Sequence, residues 1–184
     1  MITHLQLVNP EDIQRFADLK VIAVPQPYWF VIDTYYDQAV DYVGQELADQ
    51  QYPMKSFFDA GVTVASASDY PVTVPPNPMD GIEMGVTRTV PEGSEAFVDP
   101  SFTETLNPSE KVSVEQMIQS FTMNGAYAAY MENQIGSLEV GKKADFIVLD
   151  QNILQVTPSE IHTTRVLLTF FEGQEVYRSE DYNE

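Results

Sequence analysis

His4, Gln26 and Asp69 are the residues whose type and placement could do chemistry. Each falls at or near the end of an apolar, β-branched run. In parallel α/β architectures, side chains at the carboxyl ends of strands point into the ligand crevice. A neutral imidazole nitrogen ligates a metal, and a carboxylate ligates one or shuttles a proton. A strand-end histidine with a strand-end aspartate is therefore a candidate metal or acid–base pair. Plainer readings stand beside it. His4 could be an ordinary histidine near a terminus, and Asp69, ahead of Tyr70-Pro71, could simply open a turn. His162, in a polar stretch after Pro158-Ser159-Glu160, has no aligned partner and reads as structural, and Asp145 and Asp150 flank a strand as turn residues. Tyr28 and Trp29 fit core or lid packing, while Arg88 fits first as the partner of a nearby carboxylate.

The elements that must position these residues are legible from local signals. Residues 1–8 read as a short strand running into a loop. Asn9 then caps a helix with Pro10 at its first position, Glu11 and Asp12 at the positive end of its dipole, and Ile13, Phe16 and Ala17 as its buried stripe. Lys20 to Val24 is a second strand, stopped by Pro25-Gln26-Pro27, so the order is that of a βαβ unit. Helical spacing of Tyr36, Ala39, Val40, Val43 and Leu47 predicts a helix over 35–50. A short helix from Met54 to Asp59 ends near Gly61, and Val62 to Ala67 is a third strand, apolar enough to be buried on both faces.

Residues 71–112 hold most of the twelve prolines, which predicts long ordered loops with only short helices, as in a lid, binding surface or tether. Ser113 and Gln116 form a capping box for a helix carrying Val114, Met117, Ile118 and Phe121, which Asn124-Gly125 should interrupt before 126–131. The turn-rich 136–141 stretch leads to a strand over 144–149. Strands over 165–170 and 174–178 then form a hairpin around Glu172-Gly173. The tail reads as a small β layer on an α/β body.

Composition excludes several functions. At 184 residues the chain can bury one real core, but a complete (β/α)₈ barrel needs about 250. With 28 acidic against 9 basic side chains, a net charge of −19 repels nucleic acid and anionic bilayers. Without cysteine there is no disulfide, thiolate metal site or Cys nucleophile, which fits a reducing compartment. No apolar run suits a membrane span or signal peptide, so a soluble cytoplasmic protein is expected.

The combination is more specific than any one residue. Thr3-His4-Leu5-Gln6-Leu7-Val8 followed by Pro10-Glu11-Asp12-Ile13-Gln14-Arg15-Phe16-Ala17 resembles the amidohydrolase superfamily, in particular its family-3 branch of metal-dependent hydrolases acting on carbon–nitrogen bonds. The similarity continues, in order, through Gln26-Pro27, Phe57-Phe58-Asp59-Ala60-Gly61-Val62, Ser68-Asp69-Tyr70-Pro71-Val72, Gly85-Val86-Thr87-Arg88 and Asn124-Gly125-Ala126-Tyr127-Ala128. Residues 136–146, from Gly136-Ser137-Leu138 to Ala144-Asp145-Phe146, resemble the superfamily's return from barrel to β-sandwich.

The resemblance implies an α/β fold: a partial (β/α) TIM barrel, its last three strands with helices, over 1–135, and the C-terminal strands of a small β-sandwich over 136–184. His4 would lie on the sixth barrel strand as a metal ligand and Gln26 at the end of the seventh. Asp69 would lie at the end of the eighth, touching metal and handling the proton. Gln26, Trp29 and Arg88 would face the substrate, an amide-type small molecule. In an intact relative a metal activates the attacking water, and the Asp69 equivalent moves its proton to the leaving amine.

The departures are equally informative. The paired histidines of the first barrel strand, the bridging lysine or glutamate and the fifth-strand histidine are absent, since His4 and His162 are the only histidines. Zinc or another divalent metal, implied for the intact fold, should bind these residues alone weakly or not at all. Three strands cannot close a barrel, so an open face is expected. It would be covered by a missing N-terminal half, by a second copy or another chain, or by the proline-rich loop. Two functions follow. One is the C-terminal part of a metal-dependent amidohydrolase, inactive alone. The other is a non-catalytic, oligomerising structural remnant.

Overall fold

The computed structural model describes residues 1–73, 75–94 and 102–182. Strand β1 (Ile2–His4) pairs in parallel with β2 (Ala23–Pro25), with Ile2, Thr3 and His4 opposite Ala23, Val24 and Pro25. Between them lies helix α1 (Pro10–Asp18), whose cap is Asn9 accepting from the Glu11 N–H. Lys20 adopts φ 53°, so its surroundings turn before the second strand begins, later than its β-branched run suggests. The predicted third strand survives as a parallel rung. Ala23 N donates to Thr63 O, and Ala65 N and Ala67 N donate to Ala23 O and Pro25 O. The fold is thus α/β with a partial parallel sheet.

The 35–50 helix divides into α2 (Thr34–Val43) and α3 (Gln45–Ala48), because Gly44 sits at φ 82° and ends the first. Apolar spacing continued through the break, whereas backbone conformation did not. Helix α4 (Lys55–Asp59) follows, closed by Gly61 at φ 75°.

The proline-rich stretch departs most from expectation, although residues 74 and 95–101 of it lie outside the described residues. It contains α5 (Pro78–Thr87), in which seven consecutive residues, Met79 to Gly85, are buried. Asn77 caps it through the Met79 N–H, repeating the Asn-Pro start of α1. A helix buried nearly all round shows little apolar periodicity, so proline density dominated the reading. Two glycines make its close packing possible. A Cβ at Gly81 would lie 2.9 Å from the Phe121 ring, and one at Gly85 would lie 2.2 Å from Met117 Sδ. Met117 is itself fully buried. Gly85→Ala is therefore expected to destabilise the protein by about 1–3 kcal/mol through overpacking, read as a lowered urea midpoint.

Ser113 and Gln116 form the expected capping box at α6 (Val114–Phe121). The chain then breaks at Thr122 (φ −118°, ψ −91°), earlier than predicted, and Asn124-Gly125 lies inside α7 (Met123–Ala128). The Asn124 side chain donates to Val64 O, holding α7 to the third rung. In the tail, β3 (Phe146–Leu149), β4 (Val166–Phe171) and β5 (Gln174–Arg178) form an antiparallel sheet in that order. The tail is more than a surface layer, because Ile153 and Ile161 join the main core with Phe16, Phe57, Val64 and Met117. No helix of the described residues is long and apolar enough to cross a membrane.

Candidate active site

The parallel sheet brings His4 and Asp69 together. His4 ends β1, Asp69 follows the third rung, and β2 lies between them, so 65 residues of sequence reduce to 3.8 Å between His4 Nε2 and Asp69 Oδ1. The side chains are 55% and 24% exposed, which leaves the pair open to a ligand. Both residues, and Leu5, hold positive φ (66°, 64° and 59°). Non-glycine residues rarely adopt this conformation, and where they do they concentrate at functional sites. The Asp69 carbonyl accepts from Val72 N, so the plain turn-forming role is also filled.

Gln26 follows β2 and is 3% exposed. Its Nε2 donates to Thr3 Oγ1 at 2.6 Å, and Thr3 Oγ1 donates to Val24 O. This tether joins the ends of β1 and β2 beside His4. Trp29 lies on the 3-10 turn Pro27–Trp29 that Gln26 caps, with its ring edge-on to Tyr35 at 5.2 Å. Tyr28 is core, its hydroxyl donating to Asn77 O, and burial with Asp80 nearby pushes its pKa well up.

Arg88 corrects an expectation. It was expected to face substrate, or otherwise a carboxylate. Instead it is fully buried, donating through Nε, Nη1 and Nη2 to the carbonyls of Leu106, Tyr52 and Gln51, with its guanidinium 4.4 Å above the Phe30 ring. A planar fork suits three fixed acceptors, and all its charge-bearing groups are engaged inside the protein. It acts on the site at a distance: Tyr52 N donates to Gln6 O, and Gln6 donates to Gln51, which anchors the segment just after His4.

His162 is also corrected, since it has a partner. Its backbone N and its Nδ1 both meet Glu83 Oε2, at 2.9 and 2.7 Å, pinning the 3-10 turn Pro158–Thr163 to α5. Glu83 is buried on α5. No sequence signal joined residues 79 apart, and the pair lies on different elements from His4 and Asp69.

Whether these residues fit a metal is decided by donor number. A catalytic zinc takes three protein ligands and a water. His4 and Asp69 supply two. Among the described residues no group of three or more His, Cys, Asp or Glu could hold a metal ion. The described residues by themselves do not supply the three donors of such a site.

The family model of the amidohydrolase family matches residues 1–177. Protein LONG AFTER FAR-RED 3 of Arabidopsis thaliana is 29% identical over 177 residues, which are 96% of this chain and 28% of that protein. The N-substituted formamide deformylase of Arthrobacter pascens is 30% identical over 122 residues, 66% of this chain and 20% of that one. An uncharacterized metal-dependent hydrolase from Pyrococcus horikoshii OT3 superposes with a TM-score of 0.67 at 25% identity, covering 85% of this chain and 30% of that structure. The chain thus spans less than a third of the length of these relatives.

Proposed function

Since this chain belongs to the amidohydrolase family over residues 1–177, we propose that it is the C-terminal part of a metal-dependent hydrolase of carbon–nitrogen bonds other than peptide bonds. One observation carries the reading: His4 and Asp69 converge to 3.8 Å at the strand ends of a parallel sheet, from opposite sides of β2. Two relatives support the chemistry, one named as a formamide deformylase and one as a metal-dependent hydrolase. In this reading His4 and Asp69 are this chain's share of the metal site, and the other donors come from the portion of the family fold that it does not span. Asp69 handles the proton, and Gln26 and Trp29 contact the substrate.

The same proposal divides the chain into the last three barrel strands over 1–135 and a share of the small β-sandwich over 136–184. An apolar groove between α6–α7 and the antiparallel sheet, lined by Phe121, Ala126, Leu138, Phe146, Phe170 and Val176, supports the sandwich assignment. It offers a face of the kind that further strands would cover.

Metal content and mass of the purified 184 residues test the proposal. We expect substoichiometric zinc after dialysis, together with association through the open apolar face. Tightly held zinc at one per chain would contradict the shared site, and a stable monomer that excludes apolar dyes would contradict the open face.

A further inference from the structure

We propose that Gln6, acting through Gln51, is a positioning residue that keeps the His4 imidazole turned toward Asp69. The inference rests on the hydrolase reading above, in which His4 is a metal ligand, and adds what aims that ligand. A histidine that ligates a metal ordinarily has its second ring nitrogen fixed by a hydrogen bond. Among the described residues the His4 ring makes none. It approaches Asp69 at 3.8 Å, and its side chain is 55% exposed. Its direction must therefore come from the main chain. There His4 and Leu5 stand in succession at φ 66° and 59°, while Leu5 is buried in the core. Two consecutive left-handed residues that carry a Cβ revert to ordinary conformations unless both flanks are held.

Both flanks are held. On the strand side, Thr3 Oγ1 donates to Val24 O and accepts from Gln26 Nε2. On the far side, Gln6 O accepts from Tyr52 N at 2.9 Å, and Gln6 Nε2 donates to Gln51 Oε1 at 2.7 Å. Gln51 is oriented to receive that bond. Its own NH₂ donates to Ala48 O, which leaves the side-chain oxygen for Gln6. Its main-chain carbonyl is fixed in turn by Arg88 Nη2 and Asn107 Nδ2. Gln51 is 2% exposed, whereas Gln6 is exposed. A fixed acceptor inside the protein thus grips a side chain on the rim, immediately after the left-handed pair.

The metal-free 184-residue chain is compared with Gln6→Met, which keeps the length but loses the donor, and with Gln6→Lys, which keeps a donor. With only two histidines in the sequence, the ring protons of His4 are readily assigned. We expect the nuclear Overhauser cross-peak between the His4 ring and the Asp69 methylene to weaken in Gln6→Met and to persist in Gln6→Lys. The Tyr52 amide should exchange with solvent about fivefold faster in Gln6→Met, the change expected of one hydrogen bond, while the Met117 amide of α6 stays unchanged. In the completed enzyme the same substitution should lower the turnover number about fivefold at an unaltered KM. An undiminished cross-peak, unchanged Tyr52 exchange, equal acceleration at Met117, or equal losses in Gln6→Lys overturns the positioning role. Full turnover by Gln6→Met in an active completed enzyme overturns it too. A completed parent enzyme without turnover would instead sink the hydrolase reading, because neither measurement on the 184 residues uses metal or activity.

Discussion

Replacing Arg88 with methionine is expected to lower the unfolding free energy by about 3–5 kcal/mol, the range for removing one side of a buried charged network. Methionine restores much of the volume but none of the donors. The carbonyls of Tyr52 and Leu106 would lose the bonds that Arg88 makes, in a region where Arg88 itself is 0% exposed. Gln51 O keeps one donor, the side chain of Asn107 at 3.2 Å, so its loss is smaller. Lysine should recover little of this, because a single ammonium cannot serve three carbonyls in a plane. Urea unfolding reads the effect as a shifted midpoint at unchanged slope. A loss below about 1 kcal/mol would mean that those carbonyls reach water when the guanidinium is removed.

The pH dependence of that loss has a definite sign. Burial pulls the Arg88 pKa down to about 9, against the opposing pull of Glu110 and Tyr52. The folded state therefore holds the proton less tightly than the unfolded chain. Below about pH 9 Arg88 is charged in both states and contributes no slope, whereas above it stability from this group rises with pH. Between pH 6 and 8 the difference between Arg88→Met and the parent should stay level.

Asp69→Asn is expected to lower the turnover number about 10²–10⁴-fold in a form of the enzyme where the rest of the family fold is supplied, for example by fusion or co-expression. Asparagine keeps the size and the acceptor oxygen but cannot take up a proton in the working pH range. At 24% side-chain exposure, with its main-chain carbonyl holding the turn to Val72, position 69 should tolerate the change without unfolding. A lowered turnover number at an unshifted unfolding midpoint would separate proton handling from structure. The 184 residues alone should show no comparable turnover. If they did, and lost it on Asp69→Asn, the shared site would be wrong. If the completed enzyme kept full activity with asparagine, the proton role would be wrong.

The candidate site is partly legible in the sequence. His4, Gln26 and Asp69 were placed at strand ends by short apolar runs and their punctuation, and the sheet does carry them there. Their convergence was not legible, since it depends on a parallel register that also allows residues at positive φ. Arg88 was misread because its chemistry, a lone cation in an acidic chain, suggests a carboxylate or a ligand. Nothing near it in sequence announces that main-chain carbonyls from residues 51, 52 and 106 will surround it. Helix α5 was hidden among prolines, although Asn77-Pro78 repeats the start signal of α1.

What the chain's order of residues determined by itself was the local grammar: the Asn9 cap, the Ser113–Gln116 box, the hairpin at Glu172-Gly173 and the family. These signals act within about one turn, where hydrogen bonds form between residues a few positions apart and identity alone fixes the partner. What only the tertiary structure decided were the long-range polar matches: Arg88 with three distant carbonyls, Glu83 with His162, and Gln6 with Gln51. A buried donor must find its acceptor wherever packing delivers one, and packing is a property of the whole fold.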